Sequence, residues 1–107
     1  MCYTLSPFYL FAYFMTATKR NEISYKELRN IRERVEEEDF NIYVEITRGP
    51  ILEAVKNFPK IMEMEDTKIV FYRNSHETKQ KKEDLKDYVD AIPKELKNIL
   101  DKVVLNK

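Results

Sequence analysis

The chain has 107 residues, 43% hydrophobic and 36% charged, which suits one domain with a modest core under a charged surface. Lys and Arg number 19 and Asp and Glu 19, for a formal net charge of +0, so no global field draws the chain to nucleic acid or anionic membrane and such binding needs a local patch. The counts of one Cys, one His and one Gly exclude an intrachain disulfide, a zinc site built from several Cys and His ligands, a Walker A loop and a dinucleotide-binding fingerprint.

The first element expected is a helix over about 7–18 in "LSPFYLFAYFMTA". Ser6 is a natural N-cap, and Pro7 fits the first helical position, where its missing N–H costs nothing. The run lacks a basic flank and a small-residue cleavage site, and it is too short to span a bilayer, so it reads as a buried helix rather than a signal or membrane segment. Phe8, Phe11, Ala12 and Met15 share one face, Leu10, Phe14 and Ala17 a second, and Tyr9 and Tyr13 fill much of the rest. A helix apolar nearly all round needs cover on several sides, either from later helices or from a second copy of the chain.

"ISYKEL" then marks a capped helix, with Ser24 at the N-cap, Glu27 at the reciprocal capping-box position, and Ile23 and Leu28 as a hydrophobic staple. Leu28, Ile31 and Val35 give its buried stripe; mixed charges, Arg29, Arg32 and Arg34 among them, form a solvated face. Past Asp39, "FNIYVEIT" alternates, with Ile42, Val44 and Ile46 on one side, and predicts a strand over 42–47. Gly49 is expected in a turn, and Pro50 to open a short helix over 50–58 with Ile51, Leu52 and Val55 facing inward. "KIMEM" and "KIVFYR" around the polar knot "EDTK" predict a β-hairpin. The tail predicts a helix over 76–91 capped by Ser75, then a last helix from Pro93 with Leu96, Ile99, Leu100 and Val103 inward. The whole, residues 1–107, reads as a single α+β domain: a mainly helical small domain with a β-hairpin or a three-stranded antiparallel sheet. The sheet version takes its strands from 42–47, 61–64 and 68–73.

Catalytic chemistry finds no support. His76 sits in a polar segment and Cys2 near an end, and nothing brings them within hydrogen-bond reach. The carboxylates of "EEED", residues 36–39, lie at a helix C-terminus and read as an exposed charged turn rather than a metal site. No catalytic residue, metal or cofactor is expected. Two basic groupings remain: Arg48, Lys56 and Lys60 around the short helix, and Lys79, Lys81, Lys82 and Lys86 with Arg73 nearby. The second is balanced by Glu83, Asp84 and Asp87 and reads as a solvated helix face.

Across residues 6–74, "SPFYLFAYFMTA", "ISYKELRNIRERV", "GPILEAVKNF" and "KIMEMEDTKIVFYR" follow each other as helix, capped helix, third helix and two-stranded hairpin. This order resembles a winged helix. The resemblance implies a third helix in the major groove of double-stranded DNA and a hairpin touching its backbone. Contacts would then fall on Arg48, Lys56 and Lys60, with Lys68 on the wing, and residues 75–107 would supply a dimerisation element. A homodimer interface is expected at Tyr9 and Tyr13 of the aromatic helix and at Leu96 and Leu100 of the tail. The expected function is that of a small non-enzymatic, cytoplasmic regulator that binds nucleic acid and has no membrane partner. The alternative is a protein–protein interaction module with no nucleic-acid contact, which Glu63, Glu65 and Asp66 near the hairpin tip would suit because phosphate repels them.

Overall fold

The first strand, β1 (Tyr3–Leu5), leads through Ser6 into α1 (Pro7–Ala17), which begins where the rigid proline ring presets a helical φ. Then follow β2 (Glu22–Ser24), α2 (Tyr25–Glu38), β3 (Ile42–Val44), α3 (Arg48–Asn57), the hairpin β4 (Met62–Met64) and β5 (Lys68–Phe71), and finally α4 (His76–Gln80), α5 (Lys82–Asp90) and α6 (Lys94–Leu105). The structure, a computed structural model, describes residues 3–73 and 76–106, apart from the side chains of Glu77 and Gln80. The expected cap Ser75 and the cysteine Cys2 lie outside the described residues.

The chain forms a small α+β domain with a three-stranded antiparallel sheet ordered β2-β5-β4 and a separate parallel pair, β1 with β3. In the sheet Ile23 pairs with Ile69, and Met62 and Met64 with Phe71 and Ile69. The hairpin is therefore present, and its third strand is Glu22–Ser24 rather than 42–47. The alternating segment at 42–47 is spent elsewhere: Ile42, Tyr43 and Val44 pair in parallel with Tyr3, Thr4 and Leu5. Ile23, Ile69 and Phe71 point the sheet's apolar face into the core, where all three are buried.

Around this sheet α1 packs against α5 and α3, while α2 packs against α6 and β3. Leu10, Phe11, Ala12, Tyr13, Phe14 and Met15 are all buried, so the chain's own later helices supply the cover that the aromatic helix requires. Phe11 and Phe14 meet Phe71 at ring-centroid distances of 6.1 and 5.6 Å, which joins α1 to the middle strand. The helix ends where Arg73, just past β5, donates through its guanidinium to the carbonyl of Met15 in the last turn and to those of Thr18 and Arg20 just beyond it.

The Ser24 cap forms as expected, its Oγ accepting from the Glu27 N–H at 3.1 Å. The reciprocal half of the capping box does not form, because the Glu27 carboxylate takes both guanidinium nitrogens of Arg20 at 2.5 and 2.6 Å. The third helix starts at Arg48, ahead of Pro50, and Gly49 lies in its first turn without a positive φ. Its buried residues are Ile51, Ala54 and Val55; Leu52, expected inside, is exposed. The helix expected over 76–91 is divided at Lys81 into α4 and α5.

Candidate functional site

The outer face of α3 and the start of α2 meet the hairpin turn in a cleft of about 540 Å³. Two backbone and side-chain links fix this arrangement. The Tyr25 N–H donates to the Thr67 carbonyl at 3.0 Å, and the Tyr25 hydroxyl donates to the Glu65 carbonyl at 3.2 Å. The turn itself closes through the Glu65 N–H and the Lys68 carbonyl at 2.8 Å. The first turn of α2 is thus stapled to the hairpin tip, and Arg29, one turn further along the same face, lines the cleft beside it.

Arg48 stands at the first residue of α3 and lines the same cleft. Its charge reaches the Tyr25 phenol: burial is the main cause that pushes this phenol above its ordinary range, Arg48 pulls it down, and Asp66 adds to the rise. Ile46, Ile51, Leu52 and Met64 supply the apolar lining, and Glu65 and Asp66 the acidic lip. No ion pair joins Arg29 or Arg48 to Glu65 or Asp66 among the described residues.

The structure separates the four cations named from the sequence. Arg48 and Lys56 sit on the first and last turns of α3, both exposed. Lys60 is exposed in the connection between α3 and β4. Lys68, on β5, directs its ammonium at the Glu22 carboxylate 2.8 Å away, and this partner holds its pKa above the ordinary lysine range. Tyr25 and Arg29 complete the cleft; the sequence reading placed Arg29 on a solvated helix face and gave Tyr25 no role. Their signal was the spacing of four from Tyr25 to Arg29 at a capped helix start, which puts an aromatic and a cation on one face.

The residues named for a second copy fall mostly inside. Tyr13, Leu96 and Leu100 are buried in the chain's own core and offer it no surface. Tyr9 is half-buried, its ring edge-on to Tyr88 at 5.5 Å. The exposed large apolar side chains are instead Phe40, Tyr43, Leu52 and Tyr72. At "EEED", Glu38 pairs with Lys102 at 2.9 Å and Asp39 accepts from the Asn41 N–H at 3.0 Å, and no cluster of three metal-ligating residues exists among the described residues. None of their helices is long and apolar enough to cross a membrane.

No family model, curated protein or solved structure matches the chain at a significant level.

Proposed function

We propose that the chain is a winged-helix-like, non-enzymatic regulator of the cytoplasm that binds double-stranded DNA through the outer face of α3. The observation that carries this reading is the strand order: the segment between α1 and α2 pairs with the second hairpin strand, which lies in the middle of the sheet. That order leaves α3 outside the sheet, with Arg48 and Lys56 exposed at its two ends. Phosphate contact then falls on Arg48 and Lys56, and on Lys26 and Arg29 in the first turns of α2, all of them exposed. The hairpin tip stands back from the backbone, because Glu65 and Asp66 repel phosphate and Lys68 is neutralised by Glu22.

Titration of random-sequence duplex DNA at rising salt tests this reading, with the oligomeric state recorded on the same sample. Binding is expected to weaken steeply with salt, and Arg48→Glu and Lys56→Glu are each expected to flatten the log–log slope by about 1. Absence of binding at low salt, where weak electrostatic contacts are strongest, would sink it.

The exposed Leu52 and the acidic tip favour a second reading, a protein-interaction module using the same face. Indifference of a protein partner to Arg48→Glu and Lys56→Glu, with loss on Leu52→Lys, would separate the two.

A further inference from the structure

The cleft between α2, α3 and the hairpin turn sorts charge in a way that duplex DNA does not use. Its two cations, Arg29 and Arg48, come from the helices, and its two carboxylates, Glu65 and Asp66, come from the turn. Neither pair neutralises the other by an ion pair. Ile46 and Ile51 are buried beneath, and Leu52 and Met64 present further hydrocarbon. At about 540 Å³ the cleft falls within the range of small-molecule sites, roughly 300–1,000 Å³.

These three features limit the occupant. A simple anion is repelled by the acidic lip, and a simple cation by two guanidiniums. A hydrocarbon would leave four charged groups to be partly desolvated without partners. A small zwitterion with an apolar arm satisfies all three surfaces together. We propose that the cleft binds a free α-amino acid with an apolar side chain: its carboxylate lies against Arg29 and Arg48, its ammonium toward Glu65 and Asp66, and its side chain on Ile46, Ile51, Leu52 and Met64. Arginine suits the carboxylate because its planar fork matches two oxygens. The Tyr25 bonds to the Thr67 and Glu65 carbonyls hold the backbone of the turn against the start of α2, which places the acidic lip opposite the two arginines at little cost in ordering the main chain.

This inference shares Arg29 and Arg48 with the DNA reading but does not rest on it, and its test contains no DNA. Leucine, methionine and phenylalanine are titrated calorimetrically into the full chain, beside N-acetyl-leucine, leucinamide and glycine. Saturable binding is expected for at least one of the three apolar amino acids. Loss of the ammonium, the carboxylate or the side chain in the analogues is expected to weaken it by about tenfold or more, and Arg48→Gln and Asp66→Asn are expected to do the same. Thermal melts of both variants, at exposed positions, establish that they remain folded. No saturable heat with any of the three up to about 10 mM overturns the proposal, as does equal binding of leucine and its blocked analogues. A failed DNA titration alongside saturable leucine binding would remove the DNA reading alone, and the reverse result would remove the cleft proposal alone.

Discussion

Tyr13 carries a hydroxyl into the most apolar helix of the molecule. Its ring is only 3% exposed, and its hydroxyl donates to Asp101 Oδ1 at 2.5 Å, which joins α1 to α6. Burial, then the hydrogen bond and the charge of Asp101, push the phenol well above the ordinary tyrosine range. A group whose folded pKa is raised stabilises the fold fully below its unfolded pKa, near 10 for tyrosine, and loses that contribution as pH rises toward the folded value. Tyr3, Tyr25, Tyr72 and Lys68 shift in the same direction and remain when Tyr13 is changed. Tyr13→Phe is therefore expected to cost about 1 kcal/mol at neutral pH and to give a shallower fall in stability above about pH 10. Urea melts at pH 7 and 11 check both, and an alkaline fall as steep as that of the unaltered chain would refute the linkage. The role of Tyr13 was hidden in the sequence because its partner lies in the last helix. Arg73 was hidden for the same reason: a guanidinium that ends a distant helix has no local spacing to betray it.

At the scale of elements, legibility followed the length of the pattern. The buried residues of α2 are Leu28, Ile31 and Val35, the stripe that the sequence spells, because fourteen residues hold several turns of periodic signal. Both β1 and β2 hold three residues, too few to show alternation, and β2 was read only as the lead-in to a cap. Its single inward residue, Ile23, sufficed to make it the third strand. In α3 the stripe runs Ile51, Ala54, Val55, continued by Phe58 beyond the last turn, and Leu52 falls one position off that line. Hydrophobicity alone had assigned Leu52 inward; small Ala54 takes the place where α3 meets its neighbours. The site was legible only in part for the same reason, since a cleft made by α2, α3 and the turn depends on strand order. The half-formed capping box gives a test at this scale. Ser24→Ala, which removes the Glu27 N–H partner, is expected to cost about 1 kcal/mol. Glu27→Gln breaks only a half-exposed pair with Arg20 and is expected to cost no more than about 0.5 kcal/mol. The reverse ranking in denaturant titrations would show that the Arg20–Glu27 pair, rather than the Ser24 cap, holds this helix start.

In the whole molecule, the tail completes the core. Leu85, Ile92, Leu96, Leu100 and Val103 are buried, α5 covers α1, and α6 covers α2. Arg34 strengthens the second contact by donating to the Val103 carbonyl at 3.0 Å. Phe58 and Tyr9 each meet Tyr88 edge-on, at 5.6 and 5.5 Å, so one aromatic on α5 holds two other parts of the chain. Removal of residues 75–107 is therefore expected to abolish cooperative thermal unfolding, since it uncovers the aromatic helix along its length. A truncated chain that still melts in one sharp transition would show that another surface covers α1.

The middle strand of the sheet is also its last strand in sequence, and this sets an order of events during synthesis. When β2 leaves the ribosome its hydrogen-bonding partner, β5, has not been made, and neither has α5, which covers α1. A nascent chain carrying only the first three helices therefore presents an aromatic helix covered by α3 but not yet by α5, and an unpaired strand edge, the features by which unfinished proteins stick to one another and to chaperones. Closure waits for Lys68–Phe71 and then for the tail, and loop-closure entropy makes the distant pairing of β2 with β5 the slower step to expect, after the local hairpin.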